Sequence, residues 1–212
     1  MKRFDIITEA EARVIDLGAT VELAKGGHIT PLARDTLAAR RVTVVPAGST
    51  DASLPADLAP VADIRRVVIG NDHTGIAMKQ AILQHLRAKG VAVVDVGTNT
   101  TEAVDYPDIA GRVARAVTRG EADAGIVIDG AGIGSAIAAN KIRGVRAAMC
   151  PDDTIARYAR EHNGANVLAL GSTLIGVEAA LSIVDTWTGT AMREARYIRR
   201  LLKIRRLEQD PE

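Results

Sequence analysis

The apolar positions of this 212-residue chain change rhythm near its first third, and that change divides it. From Arg66 onward, short β-branched runs alternate with stretches of helical spacing. Arg66–Gly70, Val91–Val96, Gly125–Ile128, Arg146–Cys150 and Val167–Leu170 read as strands. Several are apolar at successive positions, as parallel strands covered on both faces should be. Between them, Met78, Ile82 and Leu86 make one helix stripe and Val113 with Val117 another. Ile155, Ala159 and Ala180 through Val184 continue the series. Repeated β-α units predict an α/β domain over residues 66–212, with a doubly wound parallel sheet and helices on both faces.

The first 45 residues read as a small α+β module. Thr8 and Glu11 have capping-box spacing ahead of a stripe through Ala12 and Ile15. Thr20–Leu23 and Arg41–Val45 read as short strands, and Thr30-Pro31 opens a second helix. Residues 46–65 carry Pro46, Pro55 and Pro60 with Gly48, Ser49 and Thr50, the composition of a linker.

Composition narrows the function classes. The 27 basic and 26 acidic side chains nearly cancel, and aromatics are only 2 %, so neither a nucleic-acid nor a membrane partner is expected. No apolar run approaches the roughly 18 residues of a membrane span. The first twenty residues carry Asp5, Glu9, Glu11 and Asp16 instead of an apolar signal core, which points to a cytoplasmic protein. A single cysteine, Cys150, excludes an intrachain disulfide. Four histidines without ligand spacing give no reason to expect a metal.

In a doubly wound sheet, ligands bind beyond the carboxyl ends of the strands. The first strand of the large domain runs into Asp72-His73, suited to a hydroxylated, anionic ligand or to a helix cap. The third runs into Asp129-Gly130-Ala131-Gly132-Ile133-Gly134-Ser135, whose glycines could free backbone N–H groups for an oxyanion or simply make a tight turn. It has neither the dinucleotide glycine spacing nor a Walker A ending. Asp105-Tyr106-Pro107 precedes a helix, and His162-Asn163 follows one. Between Arg193 and Arg206 lie seven basic residues and one Glu. Within that run Arg196 and Arg200 share a helical face, a spacing that suits a phosphate or a solvated surface.

Taken in order, these segments resemble the type B ribose-5-phosphate isomerase family, which includes galactose-6-phosphate isomerase subunits. The resemblance runs from about Val67 to Ile204 through Asp72-His73, Val104 to Pro107, Gly120 to Asp123, Gly130 to Gly134, Ala138 to Lys141, Arg160 to Asn163 and Ala165 to Gly171. It implies a Rossmann-like domain, no cofactor and a homodimer with active sites at the subunit interface. It also implies aldose–ketose interconversion of a sugar phosphate by proton transfer through an enediolate. Asp72 would contact sugar hydroxyls and His73 the phosphate end, while Tyr106 lines the pocket. His162 would assist ring opening, Asn163 would hold substrate, and Arg196 and Arg200 would bind phosphate. Gly130, Gly132 and Gly134 would supply N–H groups to the enediolate oxygen.

The chain departs from that pattern at five places. Asp129 stands where the family commonly has its catalytic Cys, with Ala131 in place of a Thr two residues on. Ser135 replaces the Glu that some members use, Thr173 replaces a phosphate-binding Arg, and Glu194-Ala195 replaces a Gly-Gly pair. Asp129 is thus the expected base. A non-catalytic sugar-phosphate-binding subunit is the alternative that a lost Cys suggests. At the N-terminus, Ile7 to Ala10 and Lys25 to Asp35 are similar to small segments of bacterial microcompartment-associated proteins, which implies docking to a shell or a neighbouring enzyme.

Overall fold

Local signals and one pairing that only tertiary contact supplies build the N-terminal unit. The computed structural model describes residues 2–46, 58–192 and 194–209, in two compact units, Met1–Leu54 and Pro55–Glu212. The first contains β1 (Lys2–Ile7), α1 (Glu9–Val14), β2 (Thr20–Ile29), α2 (Pro31–Ala39) and β3 (Thr43–Pro46). The capping box is formed: the Thr8 hydroxyl accepts from Glu11 N–H, and the Glu11 carboxylate accepts from Thr8 N–H at 2.7 Å. At α2 the Thr30 side chain makes no cap, so Pro31 in the first turn carries the helix start. Ile7, Ala12, Ile15, Val21, Ala33 and Leu37 form the core.

All three strands are parallel, in the order β1-β2-β3, so this unit is α/β rather than α+β. The strand missing from the sequence reading is β1. Arg3 and Asp5 interrupt its apolar pattern, and Ile7 is its one buried residue. An edge strand needs only one paired side and tolerates such charges.

The second unit runs β4 (Arg66–Asn71), α3 (Ile76–Ala88), β5 (Ala92–Asp95), α4 (Tyr106–Thr118), β6 (Ala124–Asp129), α5 (Ile133–Ala139), β7 (Ala147–Met149), α6 (Asp153–Glu161), β8 (Val167–Gly171), α7 (Val177–Gly189) and α8 (Ala195–Leu207). The five strands are parallel in the order β5-β4-β6-β8-β7. Every residue of β6 and β8 is buried, which accounts for their unbroken apolar runs. On one face Met78, Ile82 and Leu86 of α3 pack with Ile183 and Trp187 of α7. On the other, Ile109 and Val113 of α4 pack with Ala136 and Ala139 of α5.

The expected linker over 46–65 is corrected in its second half; residues 47–57 lie outside the described residues. Leu58 and Ile64 are buried, and two arginines grip the segment between them. Arg146 donates to Leu58 O at 3.0 Å and Arg160 to Val61 O at 2.7 Å. Arg160 is wholly buried, donates also to Ala165 O, and lies 4.8 Å over the Trp187 ring. Burial, reinforced by nearby Arg146, pulls its pKa down to about 10, so it remains a cation at neutral pH. A Pro-rich composition signals a linker, but it carries no record of carbonyls that buried guanidinium groups would seek out.

Another buried cation shapes the edge of the sheet. Lys79 of α3 is fully buried and donates to Asp95 Oδ2 at 2.9 Å, Thr98 O at 2.7 Å and Asn99 Oδ1 at 2.8 Å. All three ammonium donors are met, and the chain leaving β5 is tied to α3. Removing one partner of a buried pair strands the other charge. Replacing Asp95 by Ala is therefore expected to cost about 3 kcal/mol, the lower end of the usual range because Asp95 is partly exposed. Denaturant titration of the full chain measures this. Unaltered stability would mean that Thr98 and Asn99 alone compensate the charge.

Candidate active site

From β4 the chain crosses outward to β5, and from β6 it crosses the other way to β8 and β7. The loops leaving β4 and β6 therefore diverge, and the crevice between them opens at the carboxyl edge of the sheet. Register fixes what meets there: Asn71 pairs with Ile128, and Asp72 N–H donates to Ile128 O at 3.0 Å. This brings Asp72-His73 beside Asp129–Ser135, as the sequence suggested.

Asp72 is almost buried. Its Oδ1 accepts from Thr74 N–H at 2.8 Å and from the Thr74 hydroxyl at 2.6 Å. The Thr74 hydroxyl is also 3.0 Å from the Ser172 hydroxyl, which donates to Asp129 O at 3.0 Å. Thr173 donates its hydroxyl to Gly130 O at 2.6 Å. Val104 N–H reaches His73 Nδ1 at 3.5 Å, placing the segment before Tyr106 against the β4 loop. The Tyr106 ring lies over Gly134, where an added Cβ would come within 2.6 Å of it. Glycine at 134 therefore makes room for the tyrosine.

The turn after β6 differs from the open cradle expected. Asp129 Oδ1 accepts from Ala131 N–H at 2.9 Å and closely from Gly132 N–H, and Oδ2 accepts from Ser135 N–H at 2.8 Å. The carboxylate is itself the anion at the start of α5. Gly132 is needed because its φ is +76° and a Cβ would strike the β8 backbone at 2.9 Å. Of the three glycines expected to donate to substrate, Gly132 gives its N–H to Asp129 instead, and the carboxylate expected to act as base has hydrogen bonds on both oxygens. Replacing Cys by Asp puts a hydrogen-bond acceptor with two oxygens inside a ring of donors. Among the described residues, Asp129 takes the N–H groups of Ala131, Gly132 and Ser135 and leaves those of Gly130, Ile133 and Gly134. The Ser135 hydroxyl is buried without a partner.

His162, Asn163, Arg196 and Arg200 gather elsewhere. His162 caps the C-terminal end of α6 and is stacked between Tyr158 and Tyr197, with ring centroids 4.6 Å away on each side. Arg196 and Arg200 of α8 lie 4.7 and 5.6 Å over the Tyr197 ring. Asn163 lines a neighbouring cavity of about 390 Å³ with Asn140, Arg146, Ile204 and Glu208. Both features lie where β7 and β8 begin, since Arg146 donates to Gly164 O at 2.8 Å. Five residues of β8 separate this edge from Ser172, a distance on the order of 15 Å at the rise of a strand. One chain therefore holds these two groups of residues at opposite edges of its sheet, each a candidate half-site.

Sequence reasoning missed Thr74, Ser172, Tyr158 and Tyr197. Hydroxyl residues just beyond strand ends were the available signal for the first two, and helical i,i+4 spacing to His162 was the signal for Tyr158; nothing along the chain pairs Tyr197 with His162. Cys150 is buried, and burial pushes its thiol up to about 12, which suits packing and not nucleophilic chemistry. Among the described residues no group of three or more His, Cys, Asp or Glu could hold a metal ion, and no helix is long and apolar enough to cross a membrane.

Residues 67–204 match the family model described as ribose/galactose isomerase. The chain is 44 % identical to ribose-5-phosphate isomerase B of Escherichia coli over 146 residues, covering 69 % of this chain and 98 % of that protein. Among solved structures, ribose-5-phosphate isomerase B of Clostridium thermocellum is 47 % identical with a TM-score of 0.67, over 68 % of this chain and 97 % of that one. The Mycoplasma genitalium enzyme, solved with bound ribulose-5-phosphate, is 40 % identical with a TM-score of 0.66, over 69 % and 97 %. With its sheet order, strand-end motifs and tail arginines all falling inside the matched span, this chain belongs to the ribose/galactose isomerase family.

Proposed function

We propose that the protein interconverts an aldose phosphate and a ketose phosphate, ribose 5-phosphate and ribulose 5-phosphate or a close relative, through an enediolate. The observation that carries this reading is that both half-sites are furnished: Asp72, His73 and Tyr106 at one sheet edge, His162, Asn163, Arg196 and Arg200 at the other. Asp72 takes sugar hydroxyls, His73 and the two arginines take the phosphate, and His162 with Asn163 handles the ring oxygen. The reaction moves a proton between adjacent carbons. It needs a base and fixed donors where negative charge develops, and its balance calls for no external oxidant. Thr173 and Glu194-Ala195 change the phosphate end, so the preferred sugar is set by assay on tetrose, pentose and hexose phosphates. Failure of every sugar phosphate to convert would leave the non-catalytic binding subunit as the better reading.

The working unit is a homodimer in which each crevice is completed by the partner copy, because one chain keeps its half-sites too far apart to share a substrate. A chain carrying Asp72→Ala mixed with one carrying His162→Ala is expected to recover about a quarter of the wild-type rate on random association. In a mixed dimer one site is intact and the other bears both defects. No recovery in mixtures shown by mass to be heterodimers would place both residues in a single-chain site.

Arg196 and Arg200 act chiefly in binding. Changing either to Ala is expected to raise the Kd for substrate roughly ten- to a hundredfold, the value of a charge-assisted contact. Equal affinity in both variants would move the phosphate elsewhere.

The first unit serves docking, either to a microcompartment shell or to a neighbouring enzyme in the cytoplasm. Two features support this: its own small core, and its position outside the matched span. A tethered module raises the effective concentration of a weak partner. Deleting residues 1–54, which keeps the Leu58–Ile64 segment that Arg146 and Arg160 hold, is expected to leave kcat and KM within about twofold while abolishing co-assembly. A large loss of activity would instead make the unit part of the catalytic body.

A further inference from the structure

Two carboxylates stand at adjacent strand ends in the crevice, and their surroundings divide their roles. Asp129 has both oxygens engaged: Ala131 and Gly132 N–H groups on Oδ1 and Ser135 N–H on Oδ2. Such a group is a fixed internal anion that shapes the β6 turn and the start of α5. Asp72 is held by one oxygen only, Thr74 supplying both donors to Oδ1. Its Oδ2 takes no hydrogen bond from any described residue, and its backbone is anchored to Ile128 O. One oxygen fixed and one with open lone pairs is the arrangement a positioned base requires.

We propose that Asp72, with Thr74 as its positioning residue, carries the proton in the isomerisation, and that Asp129 does not. This rests on the isomerase reading above. Asp72 Oδ2 takes the proton from C2 of the open-chain aldose. The C–H electron pair becomes the C1=C2 bond, and the carbonyl electrons pass to O1. The hydroxyl proton of O2 moves to O1 within the enediolate, the Asp72 carboxyl returns its proton to C1, and O2 becomes the ketose carbonyl. Atoms and charge balance with no co-reactant. The N–H groups of Gly130 and Gly134, which Asp129 does not take, are backbone donors at hand for the oxygen that carries the charge. The Ser172 hydroxyl lies 3.0 Å from Thr74 and joins the two loops, so Thr74 can hold Asp72 in one orientation.

The test uses the full-length protein with the best sugar phosphate from the substrate panel. It follows kcat, Kd and exchange of the C2 hydrogen with deuterated solvent. Asp72→Asn keeps the Thr74 contacts through its remaining oxygen and is expected to lose 10²–10⁴-fold, on the order of a general base's contribution, in both kcat and C2 exchange, with Kd changed only a few-fold. Thr74→Val is expected to lower kcat more than it raises KM, and Thr74→Ser to restore it, because only the hydroxyl and N–H position Asp72. Asp129→Asn is expected to lower the melting temperature, with C2 exchange persisting in the folded protein. Exchange that survives in Asp72→Asn, or that vanishes in a folded, substrate-binding Asp129→Asn, overturns the proposal. A wild-type chain that exchanges no C2 hydrogen in any sugar phosphate would instead sink the isomerase reading on which it rests.

Discussion

Pairing of β4 with β6 is the constraint from which the candidate active site follows. These strands lie side by side in the middle of the sheet although α3, β5 and α4 intervene in sequence. Their register brings Asn71 opposite Ile128, so the next residues of each, Asp72 and Asp129, emerge at the same level. Because connections leave these two strands in opposite directions, no chain crosses above them and a crevice remains. Everything later assembled there, from the Thr74–Ser172 hydroxyl pair to the Tyr106 ring, hangs on those ends.

Charge burial is managed differently at each place it occurs. Lys79 has a carboxylate and two further oxygens around it. Arg160 has none of the former and relies on two carbonyls and an indole face. Asp129 is offset by backbone dipoles alone. In each case the buried charge fastens an irregular segment: the loop after β5, the segment before β4, and the turn after β6. A buried ion is a poor source of net stability but a strict geometric requirement. That fits its use at loops whose conformation the sheet does not dictate.

The half-sites tie chemistry to assembly. Within one chain, the strand that separates Ser172 from the His162 stack, β8, is buried along its whole length, so no side-chain motion can close the gap. In the proposed homodimer, a second copy supplies the missing half without disturbing the core. The stack of Tyr158, His162 and Tyr197, with Arg196 and Arg200 against it, presents a preassembled cationic and aromatic surface for that purpose.

How much of this was legible along the chain depends on the range of the interaction. The five strands of the second unit fall within one or two residues of their sequence assignments because β6 and β8 are buried on both faces and their apolar runs say so. The capping box at Thr8 is equally local. β1 was not legible, since an edge strand bearing Arg3 and Asp5 is identified only by its pairing with β2. Asp129 was legible as a position and not as a conformation. Its place at the end of β6 follows from the run before it, but an acid there can face substrate or turn back onto Ala131, Gly132 and Ser135. Only the folded turn, with donors converging on one point, decides that. Likewise, the sequence placed Asp72 and His162 in order, and the tertiary structure put them at opposite edges, because a parallel strand carries its two ends a fixed rise per residue apart.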